Sequence, residues 1–193
     1  MRHWLKVPEC RTKPSNLDIW MLEFLTHRQR RNMSTTVQGV DARGYLAGWL
    51  TALTGMMISD INAIPDDKWT EPFGGSTRPA NMLLADTITN LTWTTAAMKG
   101  EVSSAYDSMG SLATELVDKT AAIEKLKETT AEFGTTLTAA SDDMLNSITT
   151  APWGAPAPVF ILANVAVSHV WYHDGQFNYI QMLLGDEKVH WMV

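Results

Sequence analysis

The chain predicts an all-α protein, a four-helix bundle of the up-and-down type. Three observations lead there. Four long stretches repeat apolar residues at three- and four-residue steps, prolines fall between those stretches, and no run alternates apolar with polar residues as a half-buried strand does. A length of 193 residues suits one domain with a full hydrophobic core, or one domain plus an appendage.

The first stretch runs from Asp41 to about Ile64, with Leu46, Trp49, Leu50, Leu53, Met57, Ile61 and Ile64 on one side, and Pro65 stops it. Asp66-Asp67-Lys68-Trp69 through Phe73-Gly74-Gly75 reads as an ordered loop. Arg78-Pro79 opens the second helix, which runs to about Met98, with Gly100 where it can end. Residues 101–116 read as a connector containing one or two helical turns. The third helix follows from Thr120 to about Ala139, with Ile123, Leu126, Phe133 and Leu137 inward and Glu and Lys on the wet side. A short turn is expected over Asp142 to Ile148, and the three prolines of Pro152 to Pro158 enforce a loop. The fourth helix spans about Val159 to Leu184 and ends at Gly185.

Residues 1–32 are different material. They hold seven Lys/Arg against three Asp/Glu, net +4, while the remainder holds eight against eighteen, net −10, which reproduces the −6 of the whole chain. With Pro8, Pro14 and the basic Arg28-Gln-Arg30-Arg31, this segment reads as a weakly ordered extension ahead of a start at Met33-Ser34-Thr35-Thr36, a basic RNA-binding or membrane-touching tail being the alternative. It lacks the pattern of a secretory leader. The acidic main body argues against a nucleic-acid surface there. No apolar run reaches the length of a membrane span, and the lone Cys10 excludes an intramolecular disulfide framework, in keeping with a reducing, cytoplasmic setting. Eleven methionines and eight tryptophans read as packing, with enough apolar surface left over to suggest a homodimer.

Chemistry concentrates in His169-Val-Trp-Tyr-His173-Asp-Gly-Gln176. Residues four apart share a helix face, so both rings can reach one divalent cation. On the wheel, Leu162, Val165, Ala166, Gln176, Ile180, Leu183 and Leu184 flank the pair, which places the histidines in the middle of a core-facing stripe. Two readings stand: ligands to a metal, or hydrogen-bonded histidines of the core. A metal needs a third protein ligand. Gly-rich phosphate loops, a Gly-x-Ser-x-Gly elbow and a Cys-His motif are absent from the sequence. The acidic pairs Asp66-Asp67 and Asp142-Asp143 fall where loops or caps belong.

Pro152-Trp153-Gly154, then His169-xxx-His173-x-Gly175-Gln176-xx-Tyr179 and Leu184-Gly185, together with Ile64-Pro65-Asp66 to Trp69 before a proline-initiated helix, resemble the DinB-like superfamily of four-helix bundles over roughly residues 39–191. The resemblance implies a divalent metal held by three histidines, one from the second helix and two from the fourth, and in some members a thiol-dependent transferase or related metalloenzyme activity. This sequence departs from that pattern, because the histidine of the second helix aligns with Asp86 in Asn81-Met-Leu-Leu-Ala-Asp86. Aspartate is a competent ligand for Zn, Ni, Mn or Fe(II), so Asp86, His169 and His173 form a two-histidine, one-carboxylate set. Asp86 is equally able to pair with a protonated histidine, and on the wheel it groups with Met82, Asn90 and Trp93 away from the more apolar side. Asn90 is an alternative ligand one turn on. Gln176 is expected to orient a ligand or water, and Tyr172 and Trp153 to line the pocket mouth. The implied activity is hydrolysis or thiol-dependent S-transfer on a small molecule; the alternative is a non-catalytic, dimerising bundle with a degenerate site.

Overall fold

The structure is a computed structural model that describes residues 41–191. The reading of residues 1–32 as an extension falls outside that range. Among the described residues the four long helices are α1 (Ala42–Ala63), α2 (Ala80–Lys99), α4 (Lys119–Ala139) and α6 (Val159–Leu183). Two short ones, α3 (Met109–Glu115) and α5 (Asp142–Asn146), lie in the connections.

Local chemistry sets the boundaries. Asp41 caps α1 by accepting from the Arg43 amide, and Ile64, forced out of helical geometry by the following Pro65, ends it. The Asp118 carboxylate accepts from the Ala121 amide at 2.8 Å and starts α4. Helix α2 begins directly after Pro79 and stops at Gly100, whose φ of 74° is the left-handed conformation that glycine adopts at least cost.

Helix α1 packs against α4 and α6, and α2 packs against the same two. Successive long helices α1 and α2 therefore stand across one diagonal of the bundle, as do α4 and α6. Crossing a diagonal takes more chain than a tight turn between neighbours, which the connections 64–79 and 140–158 supply. No helix of the described residues is long and apolar enough to cross a membrane.

The segment expected to be a plain loop instead closes a small β-hairpin, β1 (Ile148–Thr150) with β2 (Pro156–Pro158). Its register pairs Ile148 with Pro158 and Thr150 with Pro156. The flanking bonds, Ala151 N to Ala155 O at 2.8 Å and Val159 N to Ser147 O at 3.0 Å, show that hydrogen bonding falls on the odd-numbered residues. Both strand prolines thus occupy the pairs that exchange no hydrogen bonds, where a missing N–H costs nothing.

The core is continuous, with Leu50, Leu53, Met57, Leu84, Ile88, Leu126, Phe133 and Phe177 essentially dry. Trp69, 1% exposed, ties the first connection into it. Its ring stacks on Phe177 with centroids 6.5 Å apart, and its Nε1–H donates to the Leu116 carbonyl at 2.8 Å. Trp69→Phe leaves that buried carbonyl without a donor and should cost about 1–3 kcal/mol. Urea denaturation measures the loss, and an unchanged midpoint would contradict the role assigned to this indole.

Candidate metal centre

Asp86 projects from α2 and His169 and His173 project from α6, two helices that pack directly against each other. The packing brings the three side chains together, with one ligand atom from each within 4.8 Å of the others. His169 Nε2 lies 3.5 Å from Asp86 Oδ1, His173 Nε2 lies 3.4 Å from Asp86 Oδ2, and the two Nε2 atoms are 2.9 Å apart. The cluster is graded in depth: His173 is fully buried, whereas the side chains of Asp86 and His169 keep 14% and 24% of their exposure.

That gradient corrects the helical-wheel reading. The buried stripe of α6 runs through Ala163, Ala166, Val170, His173 and Phe177, so it is centred to one side of His169. His173 is in the core, and His169 stands at its edge. One ring is held by packing while the other meets solvent, an arrangement that leaves a site open to a ligand.

Neighbouring groups fix the orientation of each member. The Gln176 Oε1 lies 2.6 Å from His173 Nδ1, and the Gln176 amide donates to the Tyr172 hydroxyl at 3.2 Å. With Oε1 as acceptor, Nδ1 of His173 carries a hydrogen, and its Nε2 faces Asp86 and His169. Arg78, eight residues ahead of Asp86, donates from Nη1 to Asp86 Oδ2 at 2.8 Å. Hydrogen bonding from His169 and His173, with a further contribution from Arg78, holds the Asp86 carboxyl well below the usual range despite its burial, so it is a carboxylate at any physiological pH. Asn90, one turn along α2, donates to the Tyr106 hydroxyl at 2.7 Å. Burial, reinforced by the charge of Asp86, pushes the Tyr106 phenol up and keeps its proton in place.

The donor set fits a divalent ion. Ligands bound at about 2.0–2.1 Å and separated by a tetrahedral angle stand about 3.4 Å apart. Each imidazole Nε2 stands near that spacing from one oxygen of Asp86, His169 from Oδ1 and His173 from Oδ2, and the imidazole pair needs to open by roughly half an ångström to reach it. Two neutral nitrogens and one carboxylate leave coordination positions free and suit Zn, Ni, Mn or Fe(II).

Asp86 faces the histidines, although its periodicity on α2 left this open, because α2 is covered on most of its circumference and carries no simple apolar stripe. Asn90 does not join the triad and serves Tyr106 instead. Tyr172 is exposed and packs its ring edge-on against His173 with centroids 5.1 Å apart. Trp153 sits in the hairpin turn, 60% exposed, and no hydrogen bond or ring contact joins it to the triad among the described residues. Arg78 and Tyr106 escaped the sequence reading as site residues. Arg78 carried a signal, a cation two turns before a candidate acidic ligand; Tyr106 lies in an irregular connector and carried none.

Fold and site together define a helical bundle with a candidate two-histidine, one-carboxylate metal centre. Two solved structures share the fold: the mycothiol-dependent maleylpyruvate isomerase, at a TM-score of 0.58 and 14% identity, and a histidine-to-alanine variant of it, at 0.59 and 12%. Each match covers 70% of this chain and 60% of the other, so the chain spans less than two thirds of the length of those structures. No protein-family profile matches the sequence, and no curated protein matches it significantly.

A second buried acidic pair lies beside the site. Asp60 of α1 is fully buried with neither carboxylate oxygen hydrogen-bonded among the described residues, and Asp174 of α6 is 6% exposed. Gln181 donates to the Asp60 backbone carbonyl at 2.7 Å. Burial first, then the charge of Asp60, pushes the Asp174 carboxyl up to about 7, and burial raises Asp60 as well, partly offset by Gln181 and His190. The native state thus holds a proton that an unfolded aspartate releases near pH ~3.9. The stabilisation is complete below that pH, declines as pH rises from about 4 to about 7, and is level above it. Asp174→Asn should remove the slope. We expect wild type to lose on the order of 2 kcal/mol relative to Asp174→Asn between pH 5 and pH 8, about 4–8 °C in Tm. Parallel Tm profiles for the two proteins would contradict it.

Proposed function

We propose that this chain is a divalent-metal enzyme of the DinB-like type, in which Asp86, His169 and His173 hold the ion and a low-molecular-weight thiol attacks a small electrophilic molecule. The convergence of one carboxylate and two imidazoles from separate helices carries the reading. Held by these three residues, a divalent ion would supply Lewis-acid chemistry, lowering the pKa of a thiol or water and polarising an electrophile. A thiol is favoured over water because the structures sharing this fold belong to a mycothiol-dependent isomerase; hydrolysis is the other outcome of the same site. The cytoplasm, where small thiols are abundant and reduced, is the setting this reading requires.

The remaining roles belong to the chain itself. Gln176 keeps His173 in the tautomer whose Nε2 faces inward. Tyr106 accepts from Asn90 and retains its own hydrogen, which makes it a neutral donor beside the site. Arg78 balances the carboxylate charge at the rim. That last contact also favours a second reading, a non-catalytic bundle, since Arg78 already supplies Asp86 with a cation.

Metal analysis of protein purified without chelator or a metal-affinity tag separates the two. Near-stoichiometric Zn, Ni, Mn or Fe is expected. His169→Ala and His173→Ala should each abolish tight binding, while Asp86→His should preserve or strengthen Zn and Ni binding by completing a three-imidazole set. If Asp86→Ala changes neither metal content nor stability, Asp86 is not a ligand and the enzyme reading fails. With cobalt in the site, adding a small thiol should produce a near-ultraviolet thiolate-to-cobalt band; its absence in a cobalt-loaded protein favours water as the nucleophile.

We further propose a homodimer seated on the face formed by α1 and α6. Trp49 and Trp171 stack there with centroids 5.4 Å apart, yet remain 39% and 49% exposed among the described residues. Half-buried stacked indoles are apolar surface that association covers. Sedimentation should give a dimer at micromolar concentration and a monomer for Trp171→Glu; a monomeric wild type would refute it.

A further inference from the structure

Beside the triad lies a cavity of about 220 Å³ whose wall includes Arg78 and Gln176. Each of these residues also touches a member of the triad, Arg78 through Asp86 and Gln176 through His173. The cavity and the candidate metal centre therefore share two residues. The rest of the wall is mainly apolar, with Phe73, Leu83, Tyr179, Ile180 and Leu183. A small apolar pocket with a guanidinium on one wall fits a compact organic anion, and the planar fork of arginine matches a carboxylate in particular.

Arg78 is only partly engaged. Its side chain is 38% exposed, and of the five N–H groups of a guanidinium a single nitrogen, Nη1, donates to a protein acceptor among the described residues. That acceptor is Oδ2 of Asp86, the same oxygen that faces His173. Positive charge brought between Asp86 and the two imidazoles draws on the carboxylate that now holds Arg78, and it repels the guanidinium as well.

Taking the metal-centre reading as its basis, we propose that the cavity binds a small organic carboxylate through Arg78, with its apolar body among Phe73, Leu83, Tyr179, Ile180 and Leu183, and that Asp86 restrains Arg78 until its charge is met by a cation. Metal and carboxylate then bind with positive coupling, each strengthening the other by the same factor. The ion pair between Arg78 and Asp86 is a resting contact that keeps the anion receptor occupied while the centre is empty.

Calorimetry with benzoate and its neutral analogue benzamide tests this in two independent arms. In chelator, Asp86→Ala removes the restraint without any metal, so benzoate should bind it at least roughly tenfold more tightly than it binds wild type, and more tightly than benzamide does. Adding Arg78→Gln to that variant should erase the preference for benzoate. Asp86→Asn, which keeps the shape and loses the charge, serves if the alanine variant does not fold. In the second arm, saturating Zn²⁺ should tighten benzoate binding to wild type about tenfold, with benzoate tightening Zn²⁺ binding equally. A wild type that takes up no Zn²⁺ fails the metal-centre reading and overturns the coupling, while the chelator arm still decides whether Arg78 is an anion receptor. Benzoate binding no better than benzamide in Asp86→Ala, or a preference that survives Arg78→Gln, overturns the receptor.

Discussion

A carboxylate placed where two helices pack has to be met by positive charge or by hydrogen-bond donors, since water reaches it on one side only. Asp86 imposes that requirement on everything around it. Its side chain is 14% exposed, it stays ionised, and three groups from two directions answer it: His169 and His173 from α6, and Arg78 from the chain just ahead of α2. The same three side chains bring one ligand atom each within 4.8 Å of the others, so one carboxylate accounts for the grouping whether an arginine or a cation is its partner.

The bundle delivers these groups because α2 lies across the diagonal from α1 and packs on both α4 and α6. A helix so enclosed can place a polar residue on α6 without exposing an apolar stripe elsewhere. The price is a crowd of buried polar groups on α2, of which some are met: Thr87 and Thr95 donate to carbonyls one turn back, and Asn81 donates to the Ala113 carbonyl, while Thr89 Oγ1 has no partner among the described residues. Trp69 then fastens the first connection against Phe177, one turn beyond His173, and all three rings are buried.

Two acidic sites of opposite character thus adjoin on α6. Asp86, surrounded by donors and cations, is held ionised; Asp174, buried and repelled by the charge of Asp60, has its carboxyl pushed up to about 7. Neighbouring positions 173 and 174 on the helix point their side chains into these two environments. The same residue type is pushed in opposite directions because one environment offers cations and hydrogen bonds while the other offers burial and a second carboxylate.

Much of this is legible in the amino-acid sequence alone. The four helices are written in three- and four-residue apolar steps, their ends in Asp41, Pro65, Pro79, Gly100 and Gly185, and the candidate pair in the spacing of His169 and His173, because helical periodicity and capping are local properties that sequence expresses directly. The direction of Asp86 is not legible there, since a helix buried on most sides loses the contrast on which a wheel depends. Nor is the hairpin, whose prolines are compatible with strand pairing only at the non-hydrogen-bonded positions that register selects. Tyr106 lies far in sequence from Asn90, and Asp60 from Gln181, and their proximity arises from how α1, α2 and the connector pack in the bundle. Periodicity tells a residue which face it occupies; only packing decides what that face meets.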